Sequence, residues 1–363
     1  MTLKFLPSER LQDLLEELSR NRKLIVPAKS EAMILFQDFG EDVHLDLANL
    51  SRLSAKEAAF PQTETLLSFG YEKETESSEP NKVALQCEPK EKETIVFGLR
   101  PCDARAHLLL DKVYLDDRYP DPYYGARRGN LTLISLTCAR PQKTCFCTSV
   151  GGSPSDREGS DILLTQIEGG FLAEGVSEKG KNIIALNLFQ NSTQENEEQA
   201  EAVKKRAAES LTLALDLNGI EKRLMDNFEN ELWSELSAPC LNCGICTYVC
   251  PTCHCFNITD EQRGLSGQRI RTWDSCMYPL FTLETSGHNP RSLKLQRFRQ
   301  RFNHKFSYYP SLYGEFLCVG CGRCILSCPA GIDIREVLKE SPMHRGAPRR
   351  MKIGLFSREH LER

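Results

Sequence analysis

The chain has 363 residues, 40% apolar and 26% charged, with a formal net charge of −4. That is enough for two or three domains with a substantial core, and it gives no electrostatic case for nucleic acid. No run approaches the roughly 18 apolar residues of a membrane span, and the N-terminus lacks the apolar segment of a secretory signal. With 16 cysteines besides, the chain is expected in a reducing cytoplasm, its thiols serving metal centres rather than disulfides.

In chain order, Leu11, Leu14, Leu15 and Leu18 share a face behind a capping Ser8, which predicts a helix over residues 8–20. Short strands are expected at Leu24–Val26, Met33–Phe36 and Val43–Leu47, then a helix around Ser54–Phe60 stopped by Pro61. Residues 72–93, rich in Glu with Lys, Ser and Pro, read as a solvated loop. Thr94–Gly98 is an apolar strand that turns through Leu99–Asp103 into a helix, Ala104–Tyr114. A second apolar strand, Leu131–Leu136, leads to Cys138, Cys145 and Cys147, and strands are also expected over 161–167, 171–176 and 182–187. Residues 1–190 therefore read as an α+β or α/β domain. A helical connection, residues 191–237, follows, with helices over about 196–216 and 219–237. In the second, Leu224, Phe228, Leu232 and Leu236 recur every four residues as a buried stripe.

This connection delivers the chain to Cys240, Cys243, Cys246 and Cys250, with Pro251 next, a pattern repeated by Cys318, Cys321, Cys324 and Cys328 before Pro329. Both runs read C-x2-C-G-x-C-x3-C-P. Such runs hold [4Fe-4S] clusters in two-cluster ferredoxins, where the fourth Cys of each run binds the other cluster. The crossed assignment gives one cluster Cys240, Cys243, Cys246 and Cys328, and the other Cys318, Cys321, Cys324 and Cys250. Zinc prefers two C-x2-C pairs with a longer gap, or His partners; four closely spaced thiols, twice over, suit cubanes better. The long stretch between the runs favours a helical dicluster ferredoxin-like domain, residues 238–345, carrying a basic insertion, before a C-terminal tail, residues 346–363.

Eight cysteines lie outside the runs. Cys102, Cys138, Cys145 and Cys147 each sit in or beside a turn after a strand. If those strands are neighbours, their turns meet at one sheet edge, and the four thiols are candidates for a third [4Fe-4S] cluster; small buried hydrophobes are the alternative. Cys253, Cys255 and Cys276, with His254, form another sulfur-rich patch, for which packing is the simpler reading. Cys87 stands alone as an incidental thiol. Between Thr285 and Gly314 there is no Asp or Glu, while Arg291, Lys294, Arg297, Arg299, Arg301 and Lys305 interleave with Phe298, Phe302 and Phe306. A solvated basic face, a docking surface for an acidic partner and cations that raise cluster potentials are the open readings.

Several stretches together carry a family resemblance: residues 98–106, 121–128, 145–149, 250–253, 273–276 and 299–306, besides the two cysteine runs. Over most of its length the chain resembles the β subunit of cytoplasmic sulfhydrogenases (bidirectional NiFe hydrogenases) and the corresponding iron–sulfur subunit of anaerobic sulfite reductase. Related iron–sulfur proteins stand beside heterodisulfide reductases. The resemblance implies an electron-transfer subunit of anaerobic metabolism, between a flavoprotein that handles NAD(P) and a separate terminal redox subunit. The chain shows no G-x-G-x-x-G fingerprint for a dinucleotide of its own and no hydrolase or P-loop pattern, so no catalytic site is expected. A flavin- or substrate-binding iron–sulfur enzyme and a zinc-bound scaffold remain as alternatives.

Overall fold

The computed structural model describes residues 2–72, 82–87, 92–211 and 215–340. The expected tail, 346–363, and residues 73–81 and 88–91 of the acidic stretch lie outside it. The strands, in chain order, are β1 (Thr2–Pro7), β2 (Lys23–Ser30), β3 (Met33–Asp38), β4 (Thr63–Glu72), β5 (Lys82–Gln86) and β6 (Thr94–Leu99). Then come β7 (Leu131–Leu136), β8 (Ile162–Ile167), β9 (Gly170–Gly175), β10 (Gln190–Asn191), β11 (Phe256–Arg263) and β12 (Ser266–Trp273).

Eight of these form one mixed sheet in the order β10-β1-β9-β8-β7-β6-β2-β3, whose centre β2, β6, β7 and β8 is parallel. The centre is covered on both faces, as parallel strands require. Ile95 and Phe97 of β6 join a core with Leu14, Leu15 and Leu18 of helix Leu11–Ser19. Val96, between them, joins the opposite core with Ala104, Leu110 and Tyr114 of helix Pro101–Tyr114 and Tyr124 of helix Pro122–Gly129. Alternation along one strand thus fixes a three-layer arrangement.

A second sheet, β11-β12-β4-β5, ties the two halves of the chain together, because β12 pairs with β4 across about two hundred residues. A helical unit packs Trp233, Phe298, Phe302, Phe306 and Val337 into a separate core. Among the described residues no helix is long and apolar enough to cross a membrane.

Several expectations need correction. Residues 43–47 make a single bridge, Leu45 to Ala28, rather than a strand. Residues 182–187 are not a strand: Ser177 caps helix Glu178–Ile184 by accepting from Gly180 N–H, and only Ile184 is buried there. The acidic loop contains β5, which the Glu-rich composition around it obscured. The helix expected at 219–237 is two short ones, Ile220–Asp226 and Leu232–Ser237, because the Asn230 carboxamide accepts from Leu232 N–H and starts a new helix. The C-terminal half is not purely helical, since it contributes the β11–β12 hairpin. β1 and helix Pro122–Gly129 had no counterpart in the sequence reading.

Candidate iron–sulfur centres

β6 and β7 are parallel neighbours, so the turns that leave their C-terminal ends meet. The first turn carries Cys102 at the start of helix Pro101–Tyr114, and the second carries Cys138, whose N–H donates to the Pro154 carbonyl at 2.8 Å. Cys145 and Cys147 close the same space, a pocket shared with Arg100, Arg140, Gly320 and Cys321. The four thiols grouped on strand topology alone are therefore together. Burial pushes Cys145 and Cys147 up to about 12 and Cys102 well above the usual thiol range. As free groups they are protonated; a bound cationic iron centre is what would draw the protons off.

The two ferredoxin-type runs fold over one another. Cys240, Cys243 and Cys246 line a pocket whose wall is completed by Cys324 and Cys328 from the second run, with Phe298, Met277 and Arg301. Cys250 acts on Cys318, Cys321 and Cys324 of the second run and also on Cys246 of its own. Each run turns on a left-handed glycine, Gly244 at φ 75° and Gly322 at φ 71°. At Gly322 a Cβ would lie 2.6 Å from the Thr144 carbonyl oxygen, so only glycine lets these loops touch.

The expected solvated or docking face at residues 285–314 is overturned, because Arg297, Arg299, Arg301 and Lys305 are all buried. Arg297 donates to the Met277, Arg291 and Ser292 carbonyls. Arg299 lies 3.6 Å over the Phe228 ring and pairs with Glu229. Arg301 and Lys305 instead turn inward to the thiols. A π-helical turn, His304–Tyr308, rotates Lys305 so that its ammonium sits 3.3 Å from Cys250 Sγ, with Thr252 Oγ1 and the Leu317 carbonyl also accepting. Arg301 stands among Cys246, Cys324, Cys253 and Cys250, and its Nε finds no hydrogen-bond partner. Burial opposes both charges, yet the surrounding cysteines outweigh it and hold both cations above their ordinary range.

Two buried cations with no carboxylate partner among the described residues call for an anion. A cubane held by four thiolates is one, so the residues present fit [4Fe-4S] groups. A single metal ion is a poorer fit: among the described residues no three Cys, His, Asp or Glu side chains converge closely enough to hold one.

The third thiol set lies directly against the second run. Phe146 N–H donates to the Gly320 carbonyl at 2.8 Å, and Cys145 Sγ donates to the Cys321 carbonyl at 3.7 Å. Sequence reasoning missed the buried ion pair beneath this seam, Arg323 with Asp103. Its one signal was charged residues directly beside Cys102 and Cys324.

These loops define the class first: the family of 4Fe-4S dicluster domains matches residues 239–332. Across a larger span, the chain is 36% identical over 249 residues to sulfhydrogenase 2 subunit beta of Pyrococcus furiosus, covering 68% of this chain and 73% of that one. The chain belongs to the sulfhydrogenase beta-subunit family. No solved structure matches it.

Proposed function

We propose that this chain is the electron-transfer subunit of a multi-subunit oxidoreductase, working in a reducing cytoplasm between a flavoprotein that exchanges electrons with NAD(P) and a terminal redox subunit. The terminal partner is of the hydrogenase type, in keeping with the name of its relative; sulfite and heterodisulfide reductase partners use the same chemistry. Cys240, Cys243, Cys246 and Cys328 would hold one [4Fe-4S] cluster, and Cys318, Cys321, Cys324 and Cys250 a second. Cys102, Cys138, Cys145 and Cys147 would hold a third. Bound there, the clusters supply one-electron transfer and make no bond in a substrate.

The observation that carries the reading is the seam between loops 144–147 and 320–322, where thiols of two sets share one wall. The protein's own part is to fix twelve thiols, exclude water, and set Arg301 and Lys305 against them.

Iron and acid-labile sulfide per chain, measured on anoxic protein, test this reading. About 12 irons are expected, falling to about 8 in a Cys145→Ser/Cys147→Ser variant. About 8 in both proteins would remove the third site, and iron-free protein would remove the whole reading.

A further inference from the structure

The sulfur-rich patch at Cys253, Cys255 and Cys276 is left over by the three sites. Antiparallel pairing of β11 with β12 brings its two ends together, Phe256 opposite Trp273. Just beyond that pair, Asp274 N–H donates to the Cys255 carbonyl at 2.9 Å. Ser275 is fully buried; its Oγ accepts from Thr247 Oγ1 at 2.9 Å and from Met277 N–H at 3.2 Å. This pinned turn holds the Cys276 side chain on the Cys255 side chain, thiol to thiol, while both residues stay half-buried and free.

The surroundings are cationic. Lys56 is buried, donates to the Cys253 carbonyl at 2.8 Å and lies 4.0 Å over the Trp273 ring. Lys305 is a second buried cation nearby, and both ammoniums act on Cys255. The hydrogen bond from Cys276 leads in drawing Cys255 down to about 7, with the two lysines helping. A thiol that is partly thiolate at neutral pH, touching a second thiol, is set up for exchange rather than for packing. In reducing compartments such pairs are transient and redox-active.

We propose that Cys255 and Cys276 form a reversible disulfide, a two-electron store beside the iron–sulfur sites. Closing it joins the two sulfur atoms and releases two protons and two electrons. The protons go to solvent, and the electrons go one each to two oxidised [4Fe-4S] clusters; opening the bond takes up two of each. The electron acceptors rest on the function proposed above. The pair converts between two-electron and one-electron chemistry within a chain that otherwise handles single electrons.

The test uses the whole anoxic protein, poised once with excess dithionite and once with a stoichiometric dye oxidant, then quenched in acid, alkylated and digested. Alkylated Cys255 and Cys276 are expected after reduction, and a Cys255–Cys276 linked peptide, about 2 Da lighter than the two free peptides, after oxidation. A coulometric titration should require two more electrons per chain than its iron content accounts for. A Cys276→Ser variant should lose those two and keep its iron. Equal alkylation of both thiols in the oxidised protein, iron intact, overturns the proposal, as does a loss of iron in Cys276→Ser, which would make the pair metal ligands. Protein without iron would instead defeat the cluster reading, and the linked peptide would still decide the thiol pair.

Discussion

Arg323 and Asp103 form a two-pronged ion pair, 2.7 and 2.8 Å, with both side chains only 1% exposed. Asp103 follows Cys102 of the third thiol set and Arg323 precedes Cys324 of the second, so the pair clamps the two cysteine-bearing turns. Arg323 also donates to the Ser51 carbonyl at 2.9 Å. Removing one member of such a pair strands the other charge, which costs about 3–5 kcal/mol. Asp103→Asn should lower the stability of the holo-protein by that amount in chemical unfolding under anoxic conditions. A loss below about 1 kcal/mol would mean that the seam is held elsewhere.

Arg301 is shared by thiols of both ferredoxin-type sites, whereas Lys305 touches Cys250. A fixed cation favours the reduced, more negative state of a neighbouring cluster. Arg301→Gln should therefore lower two potentials together, by roughly 100 mV or about 2.4 kcal/mol each, as for a unit charge about 7 Å away at an effective dielectric near 20. Lys305→Met should lower mainly one. EPR-monitored redox titrations distinguish these patterns, and unchanged midpoints in both variants would leave the two buried charges without a role.

The two cysteine runs, and the meeting of Cys102 with Cys138, were legible because spacing is a local property and two apolar strands could be read as neighbours. The basic stretch stayed open between a solvated face, a docking surface and cluster-facing cations for the opposite reason. Its phenylalanine face was plain from four-residue spacing, but a buried arginine and an exposed one look alike until the anion that it faces is placed. Residues 182–187 show a third limit. Ile183, Ile184 and Leu186 suit a strand, but the Ser177 cap starts a helix that runs through Ile184, with Gly180 packed closely on the Asp161 carbonyl, and the chain then turns. The exposed β11 carries little strand signal of its own and exists because β12, itself paired with β4, lies beside it.

His107 is 1% exposed, neither ring nitrogen has a partner, and burial, with Arg128 nearby, brings it down to about 3. The folded protein therefore keeps it neutral where the unfolded chain, with a histidine near 6.5, takes up a proton. Its contribution to stability is intact above pH 6.5 and is lost as pH falls from there toward 3, at about 1.4 kcal/mol per pH unit. His107→Leu should remove one proton from the pH dependence of unfolding between about pH 6 and 4.5. Identical slopes in the two proteins would show that the native state lets this ring charge.

Gly322 combines a left-handed backbone, φ 71°, with the Thr144 carbonyl where a Cβ would go, 2.6 Å away. An alanine there must strain its own backbone by roughly 1–2 kcal/mol and also push loop 144–147 away from loop 320–322. The second effect falls on Cys145 and Cys147, so Gly322→Ala should lose iron from the third set first, from about 12 toward about 8 per chain. Gly264 is the control: it too is left-handed, φ 63°, but nothing lies within 4 Å of a Cβ there. Gly264→Ala should carry the backbone cost alone and keep its full iron. Equal iron loss in both variants would trace the effect to global destabilisation; loss in Gly322→Ala alone would place the third site at the seam.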